Sequence, residues 1–193
     1  AGTIASQSFQ ATGEEDGVAE VSEGTKATGR AEMKASQDLQ QALRSARDGA
    51  VIELANGRHI LPPIRLRGKR LTLRAAPGAK PVLTRQNEKG WDAILESDRD
   101  LTLEGLELIG GETEGLPSPL VSVESGNLTV RDCRITQRGP APALTLRQGS
   151  KLHLVKSRVQ ALTQALALQA PGEGVCQIRL QDSECNVRDV TGA

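Results

Sequence analysis

The chain has 193 residues, enough for one domain with a real hydrophobic core. Its 24 basic and 24 acidic side chains cancel, so net charge gives no steer towards nucleic acid or a membrane surface. One Trp, one Phe and no Tyr leave no stacking platforms of the kind single-stranded nucleic acid binders use. An interior this poor in aromatics suits a thin, repetitive core of Leu, Ile, Val and Ala. No apolar run reaches membrane-spanning length, so membrane insertion is not expected. The start, AGTIASQSFQATGEEDG, has no initiator Met and no basic segment followed by an apolar one, and it reads as a piece of something longer.

Residues 1–35 are rich in Gly, Ala, Ser, Thr and Glu without a sustained apolar period, the pattern of a linker or loosely held arm. The domain proper is expected over 36–193. It opens with an amphipathic helix at 38–47, in which Leu39, Ala42, Leu43 and Ala46 share one face. Ser36 stands as its N-cap, Arg44 and Arg47 lie in its last turn, and Asp48-Gly49 ends it.

A repeat follows: apolar, polar, apolar, two variable residues, small, variable, apolar. It reads LTLEGLEL at 101–108, LTVRDCRI at 128–135, LHLVKSRV at 152–159 and IRLQDSEC at 178–185, with a partial copy at 71–78. The copies start at Leu71, Leu101, Leu128, Leu152 and Ile178, spaced by 30, 27, 24 and 26 residues. A second strand precedes each start: IRLRG, AILES, LVSVESG, ALTLRQG and ALALQAPG. Short strands repeating at this period must pair with their own equivalents one turn later, which makes them parallel. The expected fold is therefore all-β, a right-handed parallel β-helix (solenoid) of about five rungs. The short helix at 38–47 stands just before it.

The columns follow from this stacking. Leu71, Leu101, Leu128, Leu152 and Ile178 form one inward row, and Leu73, Leu103, Val130, Leu154 and Leu180 a second. A third holds Leu106, Cys133, Ser157 and Ser183, and a fourth Leu108, Ile135, Val159 and Cys185. Thr72, Thr102 and Thr129 line up outside. Arg74, Glu104 and Arg131 form one outward charged column, and Arg67, Glu96, Glu124 and Arg147 another.

The run DLQQALRSARDGAVIELANGRHILPPIRLRGKRLTLRAAPGAKPVL at 38–83 resembles the opening of the pectate-lyase-like, right-handed β-helix superfamily. The helix, the first strand and the following LTLR rung carry the resemblance, which extends over about 38–190 and implies that the helix caps the N-terminal end of the coil. It implies the fold more than an activity, because that superfamily spans polysaccharide lyases and hydrolases, epimerases, adhesin stalks and domains attached to larger bacterial proteins, including receptor-type kinases.

Residues 54–87 hold eight bases and no acid, whereas 88–127 hold ten acids against Lys89 and Arg99. One reading is a ligand patch: Arg58, Arg65, Arg67, Arg74 and Trp91 for an anionic sugar chain, with Asp92, Glu96, Asp98 and Asp100 suited to calcium as the one cofactor. The other is a ladder of ion pairs between rungs about 4.8 Å apart, and the residues favour it. No motif supports a catalytic residue: the two His fall on different rungs, and no nucleophile elbow or phosphate-binding loop occurs. The three Cys, at 133, 176 and 185, lack metal-ligand spacing. The expected function is a non-catalytic binding or spacer module of a larger bacterial extracytoplasmic or surface protein, with a carbohydrate or protein ligand. The alternative is an anionic-polysaccharide lyase or its relic. An uncapped last rung would also favour self-association through the C-terminal end.

Overall fold

The computed structural model describes residues 36–85, 92–110, 118–147, 149–169 and 176–187. The arm expected at 1–35 and Trp91 lie outside the described residues.

The chain coils into a parallel β-helix with three faces. The first sheet stacks β1 (Ala50–Leu54), β4 (Leu71–Ala75), β7 (Leu101–Glu104), β10 (Asn127–Arg131), β13 (Lys151–Val155) and β16 (Gln177–Gln181). The second stacks β2 (Gly57–Leu61), β5 (Pro81–Arg85), β8 (Glu107–Gly110), β11 (Arg134–Gln137), β14 (Arg158–Ala161) and β17 (Glu184–Val187). The third has five strands: β3 (Ile64–Leu66), β6 (Leu95–Ser97), β9 (Val121–Val123), β12 (Leu144–Arg147) and β15 (Leu166–Gln169). Among the described residues, sheets of six, six and five strands make five three-strand rungs and two strands of a sixth.

The inward rows stand as their spacing predicts. Leu71, Leu101, Leu128, Leu152 and Ile178 are paired in succession, as are Leu73, Leu103, Val130, Leu154 and Leu180. The outward Thr72, Thr102 and Thr129 continue into His153 and Arg179. Among the described residues, Leu, Ile and Val fill the three-sided interior without a Phe, Tyr or Trp ring, and the core runs unbroken from Leu39 to Ala165.

Among the described residues one helix, α1 (36–45), covers the first rung. It ends two residues earlier than its periodicity predicts. Ser36 belongs to the helix, and its buried hydroxyl accepts the Ile60 N–H of β2 at 2.8 Å, so it ties the helix to the coil. The C-terminal end is closed by Lys69, whose ammonium donates to the carbonyls of Leu43 and Arg44 at 2.9 Å and of Ala46 at 3.2 Å. These are the orphan acceptors of a last helical turn, at the negative end of its dipole. With its end held there, the helix lays Leu39 and Leu43 into the core.

The charged column through Glu96 needs a correction. Leu66 pairs with Ser97 and Ser97 with Val123, which sets Asp98, not Glu96, beside Arg67 and Glu124. Glu96 stacks instead between Arg65 and Ser122. The shift is two residues, which preserves the alternation of inward and outward positions. Hydrophobic pattern alone cannot distinguish the two registers. Ser97 stands inside, where its hydroxyl donates to the Arg99 carbonyl at 2.8 Å and accepts the Arg99 N–H at 3.2 Å. A satisfied serine at a corner is tolerated in a core.

Candidate functional site

The outward side chains are organised by the 4.8 Å step between rungs. On the first sheet, Arg74 reaches back to Glu53 of the preceding rung through both Nε and a terminal nitrogen, the Nε bond being 2.9 Å. One step further on, Arg131 stands 3.6 Å from Glu104. On the third sheet, Arg65 holds Asp92 at 2.9 Å and Glu96 at 3.4 Å, and Arg147 stands 3.8 Å from Glu124. On the second, Arg158 pairs with Glu184 at 3.0 Å. Exposed pairs of this kind are worth about 0–1 kcal/mol each. Their consistent effect is to commit charge of both signs to neighbouring rungs.

The residues of the sequence-predicted ligand patch do not share a face. Arg58 lies on the second sheet, its Nε donating to Thr84 Oγ1 at 3.4 Å. Arg65 and Arg67 lie at the third sheet and Arg74 on the first. What the fold does bring together is Arg65 with Asp92 and Glu96. The hydrogen bond that Arg65 donates to Asp92, reinforced by the charge of Glu96, raises the Arg65 pKa above its ordinary value.

The four acids suited to calcium are also spread over separate tasks. Asp92 and Glu96 face Arg65. Asp98 Oδ1 accepts the Gly68 N–H at 2.7 Å, and Asp100 Oδ1 accepts the Asn127 N–H at 2.8 Å and its Nδ2 at 3.1 Å. Both are corner carboxylates that bind the backbone of an adjacent rung. Among the described residues, no group of three or more His, Cys, Asp or Glu stands together as a metal site would require.

Sequence reasoning passed over the hydrogen bonding of two further sets of residues. The first repeats the corner device: Asp48 Oδ1 accepts the Arg70 N–H at 2.7 Å, and Asn56 Oδ1 accepts the Lys80 N–H at 2.6 Å. Arg70 also clasps Asp48 through its guanidinium at 2.9 Å. These side-chain and backbone hydrogen bonds hold the Asp48 carboxyl down at about 2, from 3.8. The signal was present as Asp or Asn just ahead of successive strands.

The second is an interior ladder at the corner between the first and second sheets. The Leu106 N–H donates to Cys133 Sγ at 3.4 Å, the Cys133 N–H to Ser157 Oγ at 3.1 Å, and the Ser157 N–H to Ser183 Oγ at 3.1 Å. Each small side chain thus satisfies the backbone of the rung before it. Cys133 is buried, and burial pushes its thiol up to about 11. It is a structural acceptor and not a nucleophile.

His59 points into the core from β2, whereas His153 stands outward on β13. Among the described residues, no helix is long and apolar enough to cross a membrane. No family model, no curated protein and no solved structure matches this chain.

Proposed function

We propose that the chain is a non-catalytic β-helix module of a larger bacterial extracytoplasmic or surface protein, acting as a rigid scaffold that sets and holds the position of its neighbours. The resemblance to the pectate-lyase-like superfamily supports this origin. The observation that carries the reading is the commitment of outward charge to cross-rung pairs, above all Arg65 between Asp92 and Glu96. A lyase of anionic polysaccharide would need its bases free to meet carboxylates of the substrate. Here the protein's own acids already occupy Arg65 and Arg74. A stacked solenoid is well suited to rigidity, because every inner rung is held by both neighbours.

The test is a glycan-binding panel at low and moderate salt, with and without calcium, together with an assay for unsaturated uronates. The scaffold reading expects no selective binding and no release of unsaturated product. Selective capture of one anionic glycan that is lost in Arg65→Glu would overturn it in favour of a carbohydrate-binding module. Product release lost in the same variant would establish a lyase.

A further inference from the structure

The two ends of the coil are built differently. At the N-terminal end, α1 lays Leu39 and Leu43 over the first rung, leaving them 2% and 0% exposed. At the other end, the same inward rows that are fully buried in the middle come to the surface. Ile178 is 43% exposed, Leu180 50% and Val187 53%, and Cys185 is exposed beside them. All lie on β16 and β17, the last strands of their sheets, each with one edge unpaired by any described strand.

Such an end could continue the stack of a second copy only if that copy offered an open first rung, and α1 covers it. Head-to-tail growth is therefore blocked. Tail-to-tail contact remains, and it requires a two-fold axis. The corner Asp182–Ser183 joins β16, which runs towards it, to β17, which runs away. A two-fold axis through that corner, perpendicular to the coil, lays β16 of one copy antiparallel along β17 of the other, and the reverse. The residues then match by their distance from the corner. Ile178 faces the partner's Val187, Leu180 the partner's Cys185, Arg179 the partner's Asn186, and Gln181 the partner's Glu184.

This match is not guaranteed by the symmetry. It needs the inward positions of β16 and of β17 to fall at equal steps from the corner, and they do. Apolar meets apolar inside, polar meets polar outside, and none of the four pairs opposes like charges. We propose that the 193-residue chain forms a tail-to-tail homodimer in which β16 and β17 of two copies pair antiparallel about the Asp182–Ser183 corner, closing a continuous core. The proposal is independent of the scaffold function, since it rests on the last rung alone.

The experiment is sedimentation equilibrium of the full chain from about 1 µM to about 1 mM, a span suited to a small interface. The mass is expected to rise from one chain to two and stop there. Leu180→Glu places a charge in the shared core and is expected to weaken association about 100-fold or more. Its circular dichroism should remain that of the parent chain. Val51→Glu, on the outward face of the first rung, serves as control and leaves association unchanged.

Register is tested separately with Leu180→Cys. Directly opposed antiparallel residues have Cβ atoms about 4.5–5.5 Å apart, close to what a disulfide needs. Mild oxidation should give a covalent dimer linked from position 180 to the partner's Cys185, abolished by adding Cys185→Ser. A chain that stays monomeric throughout, grows beyond two copies, or dimerises equally well as Leu180→Glu overturns the proposal. A dimer that gives no 180–185 link overturns the pairing.

Discussion

The residue before each ladder corner adopts a left-handed backbone. Gly105, Asp132, Lys156 and Asp182 occupy it in successive rungs, at φ of 68°, 51°, 48° and 50°. Gly suits this conformation and Asp tolerates it, but Lys does not escape the clash of its Cβ, which costs roughly 1–2 kcal/mol. Lys156→Gly is therefore expected to raise stability by up to about 1 kcal/mol, the relief being partly offset by the freer unfolded chain. The urea midpoint measures it. Gly126 marks the opposite constraint, since at its φ of 96° a Cβ would lie 2.8 Å from the Arg99 carbonyl carbon. Asp48 supplies a pH dependence. Its carboxyl is held at about 2 against 3.8 when unpartnered, so its contribution to stability is complete above 3.8 and disappears as pH falls towards 2. Asp48→Asn should melt slightly below the parent at pH 7, and the two melting curves should converge near pH 2.

At the scale of elements, the helix is held by tertiary partners more than by its own length. Ten residues are too few to be stable alone in water. Its hold comes from Leu39 and Leu43 inside, Ser36 bonded to β2, and Lys69 across its last carbonyls. Leu43→Ala is expected to cost about 2–5 kcal/mol, because the first rung cannot collapse into the space left. Arg44→Ala, on the exposed face, should stay within about 0.5 kcal/mol of the parent. Urea denaturation of the pair separates the plug from its solvent side. The strands were legible as strands from their alternation, and so was the apolar face of the helix. The Lys69 cap was not, because a base in a basic run carries no mark of the carbonyls it will meet.

For the whole molecule, a solenoid has stability that depends on position along its axis. Inner rungs are held above and below, and the last is held on one side only. Amide hydrogen exchange is expected to be slowest in β7 and β10 and fastest in β16 and β17, with intermediate rates between. Uniform protection along the axis would contradict this gradient. At high protein concentration, the tail-to-tail dimer predicts that exchange in β16 and β17 slows while β7 is unaffected.

The sequence by itself determined the coil. A strand that repeats every 24 to 30 residues with the same inward positions has one economical arrangement, and Leu71, Leu101, Leu128 and Leu152 occupy it. Its charge pattern also made cross-rung pairing the preferred reading. Only the tertiary structure decided which charges meet. A shift of two residues leaves the hydrophobic pattern intact, so the pattern could not exclude Glu96 beside Arg67, and backbone register gave that place to Asp98. It also spread Arg58, Arg65 and Arg74 over three faces, because corner lengths set which side of the prism a strand joins. Corner hydrogen bonds at Asp48, Asn56, Asp98 and Asp100 belong to the same class. They depend on where a side chain stands relative to the next rung's backbone, a distance that composition and period do not encode.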